Sequence, residues 1–232
     1  MMHSKSISIV GCGWLGKPLA KSLSKEYDVE CYDRKTTKER SSFWQSKTII
    51  IAINTKDNYI NTLQKIAKFS SLSSNIILLS SISVYKEFNK TIDEDISITQ
   101  KTLQKEAEEL MQNLREHLLI LRLGGLMGSD RVAGRWKKVS TFKDGFVNYI
   151  HRDDVICIIK ELLKNDVRDG IYNLVAPKHP LRSKVHKKNT QRLGIKLGSF
   201  EGKTSKIISS DAIVKKINYT FLYPEPLDFW GK

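Results

Sequence analysis

Ile7-Ser8-Ile9-Val10-Gly11-Cys12-Gly13-Trp14-Leu15-Gly16 is an apolar run ending in three glycines, after which Leu15, Leu19 and Leu23 recur at helical spacing. This is the pattern of a strand that turns at once into an amphipathic helix. The G-x-G-x-x-G spacing gives each glycine a task. Gly11 makes the tight turn, Gly13 lets the backbone approach a phosphate, and Gly16 lets the helix pack against the sheet. The unpaired amides and positive dipole end of the helix then face the anion, so the turn suits a dinucleotide pyrophosphate. Trp14 and Leu15 are expected to shape the floor beneath that ligand, with Trp14 over the pyrophosphate.

The next informative pair lies at the end of a second short strand, Val29 to Tyr32. Asp33 stands 20 residues after Gly13, where a carboxylate accepts hydrogen bonds from the adenosine ribose hydroxyls and favours NAD. Arg34 follows it, and a guanidinium there pairs with a 2′-phosphate and favours NADP. The two residues pull in opposite directions, so NAD and NADP both remain open.

Further along, strand and helix signals alternate, as in an α/β fold with a parallel sheet. Apolar runs at Thr48 to Ile53, Asn75 to Ser80 and Leu118 to Leu123 read as strands covered on both faces. Helices are expected from Tyr59 to Phe69 and from Lys101 to Leu114. The second has a buried stripe of Leu103, Ala107, Leu110, Met111 and Leu114, with Glu106, Glu108 and Glu109 away from it. Asp153 and Asp154 are expected to cap a helix carrying Val155, Ile156, Ile159, Leu162 and Leu163, and a last core strand spans Ile171 to Val175. Beyond Pro177 the chain becomes lysine-rich and less periodic, with one helix expected near Asp211 to Lys216 and a strand near Tyr219 to Tyr223.

Composition sets outer limits. The 232 residues are 40% hydrophobic and 28% charged, ordinary for a globular protein, and no apolar run reaches the length of a membrane span. Cys12, Cys31 and Cys157 are too few and too scattered for a disulfide framework or a metal site, which points to a reducing cytoplasm. The formal net charge is +14, but the basic residues are dispersed and not interleaved with aromatics. A solvated surface, or attraction of a phosphorylated ligand, therefore fits better than nucleic acid.

Gly11 to Ala20, then Leu79-Ser80-Ser81-Ile82-Ser83-Val84-Tyr85, resemble the extended short-chain dehydrogenase/reductase superfamily in its NAD-dependent epimerase/dehydratase branch. Leu121 to Gly128, Val147-Asn148-Tyr149-Ile150-His151-Arg152-Asp153-Asp154-Val155 and Tyr172-Asn173-Leu174 extend the similarity through residue 176. The resemblance implies a Rossmann-type doubly wound parallel sheet over residues 1–176, with residues 129–150 contributing to a substrate lobe completed by a small C-terminal lobe, 177–232. A lobe that small argues against a nucleotide-sugar substrate. The resemblance also implies a homodimer through the Lys101 to Leu114 helix.

Active members of the family carry a Tyr-x-x-x-Lys pair on one helix face, the tyrosine moving the proton and the lysine lowering its pKa. Aligned on Ala107-Glu108, those positions are Gln100 and Gln104, neither of which is an acid or base at neutral pH. Lys101 and Lys105 lie one position on, about 100° around the helix. Ser81 matches the family's catalytic serine or threonine, and Tyr85 is a second candidate proton donor; the alternatives are a strand-end hydroxyl for Ser81 and a packing role for Tyr85. His151 reads as a hydrogen-bonded structural histidine. Arg131 and Arg135 are either anion ligands or loop residues.

Two functions follow from these readings. One is a cytoplasmic NAD(P)-binding oxidoreductase or epimerase/dehydratase-like protein acting on a small polar substrate. The other is a non-catalytic dinucleotide-binding redox sensor or regulatory module.

Overall fold

The computed structural model describes residues 6–33, 41–55, 58–86, 89–135 and 140–230. In chain order its elements begin with β1 (Ser6–Val10), α1 (Gly16–Leu23), β2 (Asp28–Tyr32), β3 (Thr48–Ile51), α2 (Tyr59–Phe69) and β4 (Asn75–Ser81). There follow β5 (Thr91–Ile92), α3 (Leu103–Leu114), β6 (Leu118–Leu123), β7 (Gly125–Met127), β8 (Thr141–Gly145) and β9 (Tyr149–His151). The chain closes with α4 (Arg152–Lys164), β10 (Gly170–Leu174), α5 (Arg182–Leu193), β11 (Ser199–Thr204), β12 (Ile207–Ile208) and α6 (Asp211–Ile217).

The central sheet has six strands in the order β10-β6-β4-β3-β1-β2. β1 pairs in parallel with β2 on one side and with β3 on the other, Val10 standing opposite both Tyr32 and Ile51. The chain therefore reverses its direction of travel across the sheet at β1. In a doubly wound sheet, the crevice beyond the carboxyl end of such a strand is where ligands bind. Strand alternation sends Ile9 and Val10 to opposite faces. Val10 joins the core under α2 and α3, with Ile49, Ile51, Leu63, Ile76, Leu78, Met111 and Ile120, while Ile9 faces the start of α1. Helices on both faces make this the doubly wound α/β fold that the sequence implies.

The chain divides into two compact units. The first draws on Met1–Val84, Thr99–Arg122 and Ile159–Ile171, and the second on Tyr85–Ile98, Leu123–Ile158 and Tyr172–Lys232. Within the first, Arg115 is buried and its guanidinium donates to the carbonyls of Ala67, Ser70, Ser71 and Ser74. It thereby satisfies acceptors at the end of α2, where a cation also suits the dipole. The second unit has its own core of Met127, Ala133, Val147, Ala176, Val185, Phe229 and Trp230.

Several expectations need correction. The α3 helix starts at Leu103, not Lys101, because Thr102 caps it by accepting from the Lys105 amide at 3.1 Å. Asp153 and Asp154 lie inside the first turn of α4 and do not cap it. Tyr219 to Tyr223 is not a strand, since the amides of Leu222 and Tyr223 donate to the Asp154 carboxylate instead of a neighbouring strand. Glu108 is wholly buried, not on the solvated face, for the reason given below. Cys12 and Cys31 are joined in a disulfide, with Cα atoms 5.7 Å apart. Parallel pairing of β1 with β2 brings together residues that the spacing made look scattered. No described helix is long and apolar enough to cross a membrane.

Candidate dinucleotide site

The glycine turn sits at the carboxyl end of β1, at the reversal of strand order. Gly11 has φ 111°, and a Cβ there would lie 2.5 Å from the Ala52 carbonyl oxygen, a position open only to glycine. A Cβ at Gly16 would fall 2.0 Å from the Gly11 carbonyl oxygen, so this glycine lets the helix start fold back onto the turn itself. Gly13 differs from both. A Cβ there would meet nothing within 4 Å, and the residue is exposed. Open space beside a helix N-terminus is what a phosphate approaching the backbone requires.

The amides of Gly11 and Cys12 both donate to the Tyr32 carbonyl, at 2.8 and 3.2 Å, tying the turn to the end of β2. The amides of Gly13 and Leu15 donate to no backbone carbonyl among the described residues. Leu15 is buried and takes the N-cap position of α1 without a side-chain hydrogen bond, and Trp14 is half-buried. Asp33 follows β2 directly and is half-buried, whereas Arg34 lies outside the described residues.

Ser81 ends β4, and its hydroxyl oxygen accepts the Ser83 amide at 3.1 Å. Its proton remains available for donation. Gln100 precedes α3, and its side-chain amide donates to the Ser83 carbonyl at 2.6 Å. The residue at the aligned tyrosine position thus closes the loop after Ser81 and contributes no titrating group. Lys105 is ion-paired with Glu109 at 3.2 Å.

Tyr85 belongs to the second unit, is buried, and donates from its hydroxyl to Asn173 Oδ1 at 2.8 Å. The backbone amide of Asn173 in turn donates to Glu94 at 2.6 Å, a partner that periodicity gave no reason to single out. His151 is 2% exposed, stacks on Tyr223 at 3.7 Å, and accepts the Asp153 amide on Nδ1 at 3.2 Å. Burial lowers its pKa below the ordinary value, with Asp153 opposing that shift. Arg135 lines a cavity of about 200 Å³ in the second unit, together with Arg192, Asn189, Tyr223 and Trp230; Arg131 does not line it.

Two buried carboxylates hold this scaffold. In the first unit Glu108 accepts Arg122 Nη2 at 2.7 Å, Arg122 Nε at 3.1 Å and the Ser80 hydroxyl at 2.6 Å, joining β4, α3 and β6. In the second, Asp154 accepts the Tyr219 hydroxyl at 2.8 Å and the amides of Leu222 and Tyr223 at 2.7 and 3.1 Å. Asn148 works alongside it, donating to the Lys206 carbonyl and accepting from the Ile208 amide, both at 2.8 Å. The Val147 to Val155 segment is therefore a clamp on the C-terminal chain. No group of three or more His, Cys, Asp and Glu among the described residues could hold a metal ion.

No family model matches the chain. A curated relative, Protein YeeZ of Escherichia coli strain K12, is 28% identical over 270 residues, spanning 96% of this chain and 98% of that protein. The human epimerase family protein SDR39U1 (isoform 2), solved with NADPH, superposes with a TM-score of 0.74 at 13% identity, covering 97% of each chain. UDP-glucuronic acid 4-epimerase from Bacillus cereus, solved with NAD, gives a TM-score of 0.76 at 13% identity over 97% of this chain and 96% of that one. The chain shares the Rossmann-type α/β fold of these two solved proteins. The matched spans cover nearly the whole of this chain, so the likeness extends beyond the central sheet to both units.

Proposed function

We propose that the chain is an NAD(P)-binding oxidoreductase or epimerase/dehydratase-like protein, an atypical extended short-chain dehydrogenase/reductase acting on a small polar substrate. The observation that supports this most is the open flank of Gly13 in a turn at the strand-order reversal. Gly11, Gly13, Trp14, Leu15 and Gly16 would hold the pyrophosphate, and Asp33 and Arg34 the adenosine end. The solved neighbours were crystallised with NADPH and with NAD, so the choice between them stays with Asp33 and Arg34. The nicotinamide, when bound, supplies a hydride acceptor or donor. Ser81 offers its hydroxyl proton to a substrate oxygen and orients it there. Tyr85 is the second candidate proton donor, its hydroxyl held by Asn173 within the second unit. Dinucleotide binding is assigned to residues 1–176 and substrate binding to 177–232, with 129–150 contributing. The compartment proposed is the cytoplasm, and a homodimer through α3 is part of the same reading, Leu103 and Leu114 being exposed on it.

A second reading, a non-catalytic redox sensor or regulatory module, is favoured by one observation: the Gln100 amide bonds Ser83 at the place where an acid is needed. Purified protein that binds NADH or NADPH, yet oxidises neither across a panel of carbonyl and sugar substrates, selects it.

The test of dinucleotide binding is Gly13→Val. With open space at its Cβ, the variant should keep its stability within about 0.5 kcal/mol. It should lose about 2 kcal/mol of charge-assisted hydrogen bonding to the pyrophosphate, roughly thirtyfold in affinity by nicotinamide fluorescence. Unchanged affinity for both NADH and NADPH would remove the site from this turn. Asp33→Ala should weaken NADH by about tenfold and NADPH less, because the carboxylate bonds the free ribose hydroxyl and repels a phosphate there. The reverse ranking in the same titration would reject Asp33 as the ribose ligand.

A further inference from the structure

We infer that the cavity of about 200 Å³ in the second unit is a binding site for a small aromatic carboxylate, whose charged end is held by Arg135 and Arg192. The inference goes beyond the dinucleotide reading, since no residue of the glycine turn lines the cavity, nor does Asp33 or Ser81. Three separate stretches of the second unit build it. Arg135 comes from the loop after β7, Asn189 and Arg192 from the end of α5, and Tyr223, Phe229 and Trp230 from the C-terminal segment. Asn189 and Arg192 are three residues apart and so share one face of α5.

Polar contacts fix these walls before any ligand arrives. Trp230 donates from Nε1 to the Gly128 carbonyl at 2.8 Å, and Asn189 donates from Nδ2 to the Ala133 carbonyl at 2.9 Å. Lys188 pairs with Asp228 at 2.9 Å, which ties α5 to the C-terminal segment. Phe229 and Trp230 are almost wholly buried and offer an apolar surface to a ring. Arg135 and Arg192 are exposed, and neither guanidinium forms an ion pair among the described residues. Arg152 differs, with Asp130 and Asp153 each at 3.6 Å.

Two unspent guanidiniums beside an aromatic wall select the chemistry of the ligand. A guanidinium fork takes a carboxylate through paired N–H bonds, and the rings take an apolar body. Size narrows the choice further. An apolar cavity of about 150 Å³ accepts benzene, so about 50 Å³ remains here for a carboxyl group. A nucleotide calls for one of the larger ligand pockets, of roughly 300–1,000 Å³. Asp153 lines the same cavity. Its carboxylate repels a doubly charged phosphate about twice as strongly as a singly charged acid, because the Coulomb energy scales with charge. A monoanion is therefore the better occupant.

The experiment titrates the full chain with benzoate by ligand-observed NMR, beside acetate, benzyl alcohol and inorganic phosphate at the same pH and ionic strength. Benzoate is expected to bind about tenfold more tightly than each of the other three. Arg135→Ala and Arg192→Ala should each weaken it about tenfold without moving the thermal midpoint, both side chains being exposed. Lys184→Ala removes the same charge from an exposed position of α5 that does not line the cavity, and should bind benzoate as the wild type does. Hydrogen exchange with benzoate present should slow at amides 192 and 229. Equal losses in Lys184→Ala and Arg192→Ala overturn the site and leave only diffuse attraction to the net charge of +14. Wild-type affinity in both arginine variants also overturns it, as does phosphate or benzyl alcohol binding as tightly as benzoate, or no saturable binding at all. The titration contains no dinucleotide, so its outcome is independent of the glycine turn.

Discussion

Glu108→Ala is expected to destabilise the chain by about 3–5 kcal/mol. The carboxylate is completely buried and is the partner of a guanidinium that is itself 2% exposed. Removing it leaves the Arg122 charge without its counter-ion in a strand whose six residues are all buried, and leaves the Ser80 hydroxyl without its acceptor. An uncompensated buried charge is the costly part, more than the loss of the attraction itself. Urea denaturation should therefore show a large drop in midpoint. The double variant Glu108→Leu with Arg122→Met should recover much of it, since no charge then remains buried. If Glu108→Ala unfolds at the wild-type midpoint, the carboxylate is not holding β4, α3 and β6 together.

Asp154→Ala should act on the second unit and at a distance in sequence. Three donors lose their acceptor at once, the Tyr219 hydroxyl and the amides of Leu222 and Tyr223. Each hydrogen bond to a charged group is worth about 1.5–3 kcal/mol, and the shared acceptor makes the total less than their sum. A loss of about 3 kcal/mol is expected. Burial raises the Asp154 carboxyl above its ordinary pKa, and the bonds from Leu222, Tyr219 and Tyr223 offset that only in part. The net gain from the clamp is correspondingly below the gross strength of its bonds. Hydrogen exchange offers the cleanest readout: amides 222 and 223 should lose protection in the variant while those of α2 keep theirs. Uniform loss across the chain, or none at Leu222 and Tyr223, would reject the clamp.

How far the sequence spoke for the structure depends on how local each cause is. The glycine turn was legible because Gly11 needs its positive φ and Gly16 its close approach within a few residues of each other. The strands β3, β4 and β6 were legible because cover on both faces leaves continuous apolar runs. Helix α5 was not, because its buried positions are Val185, His186, Asn189 and Thr190. Polar groups there bond internally, Asn189 to the Ala133 carbonyl and Thr190 to the His186 carbonyl, so no apolar stripe marks the buried face. Tyr219 to Tyr223 misled for the opposite reason, an apolar stretch whose amides are spent on a side chain. For Glu108 a signal existed: an arginine inside Leu-Leu-Ile-Leu-Arg-Leu must find a buried counter-charge. The cysteine pair gave none, because strand order, not spacing, brings Cys12 and Cys31 together.

The division of the chain into interleaved pieces bears on its synthesis. Everything the first unit needs has been translated once Ile171 emerges from the ribosome, whereas the second waits for Tyr219 to Tyr223 to reach Asp154. Domains fold as units during elongation, so a nascent polypeptide stalled in between would present a finished first half and a second half still open to chaperones.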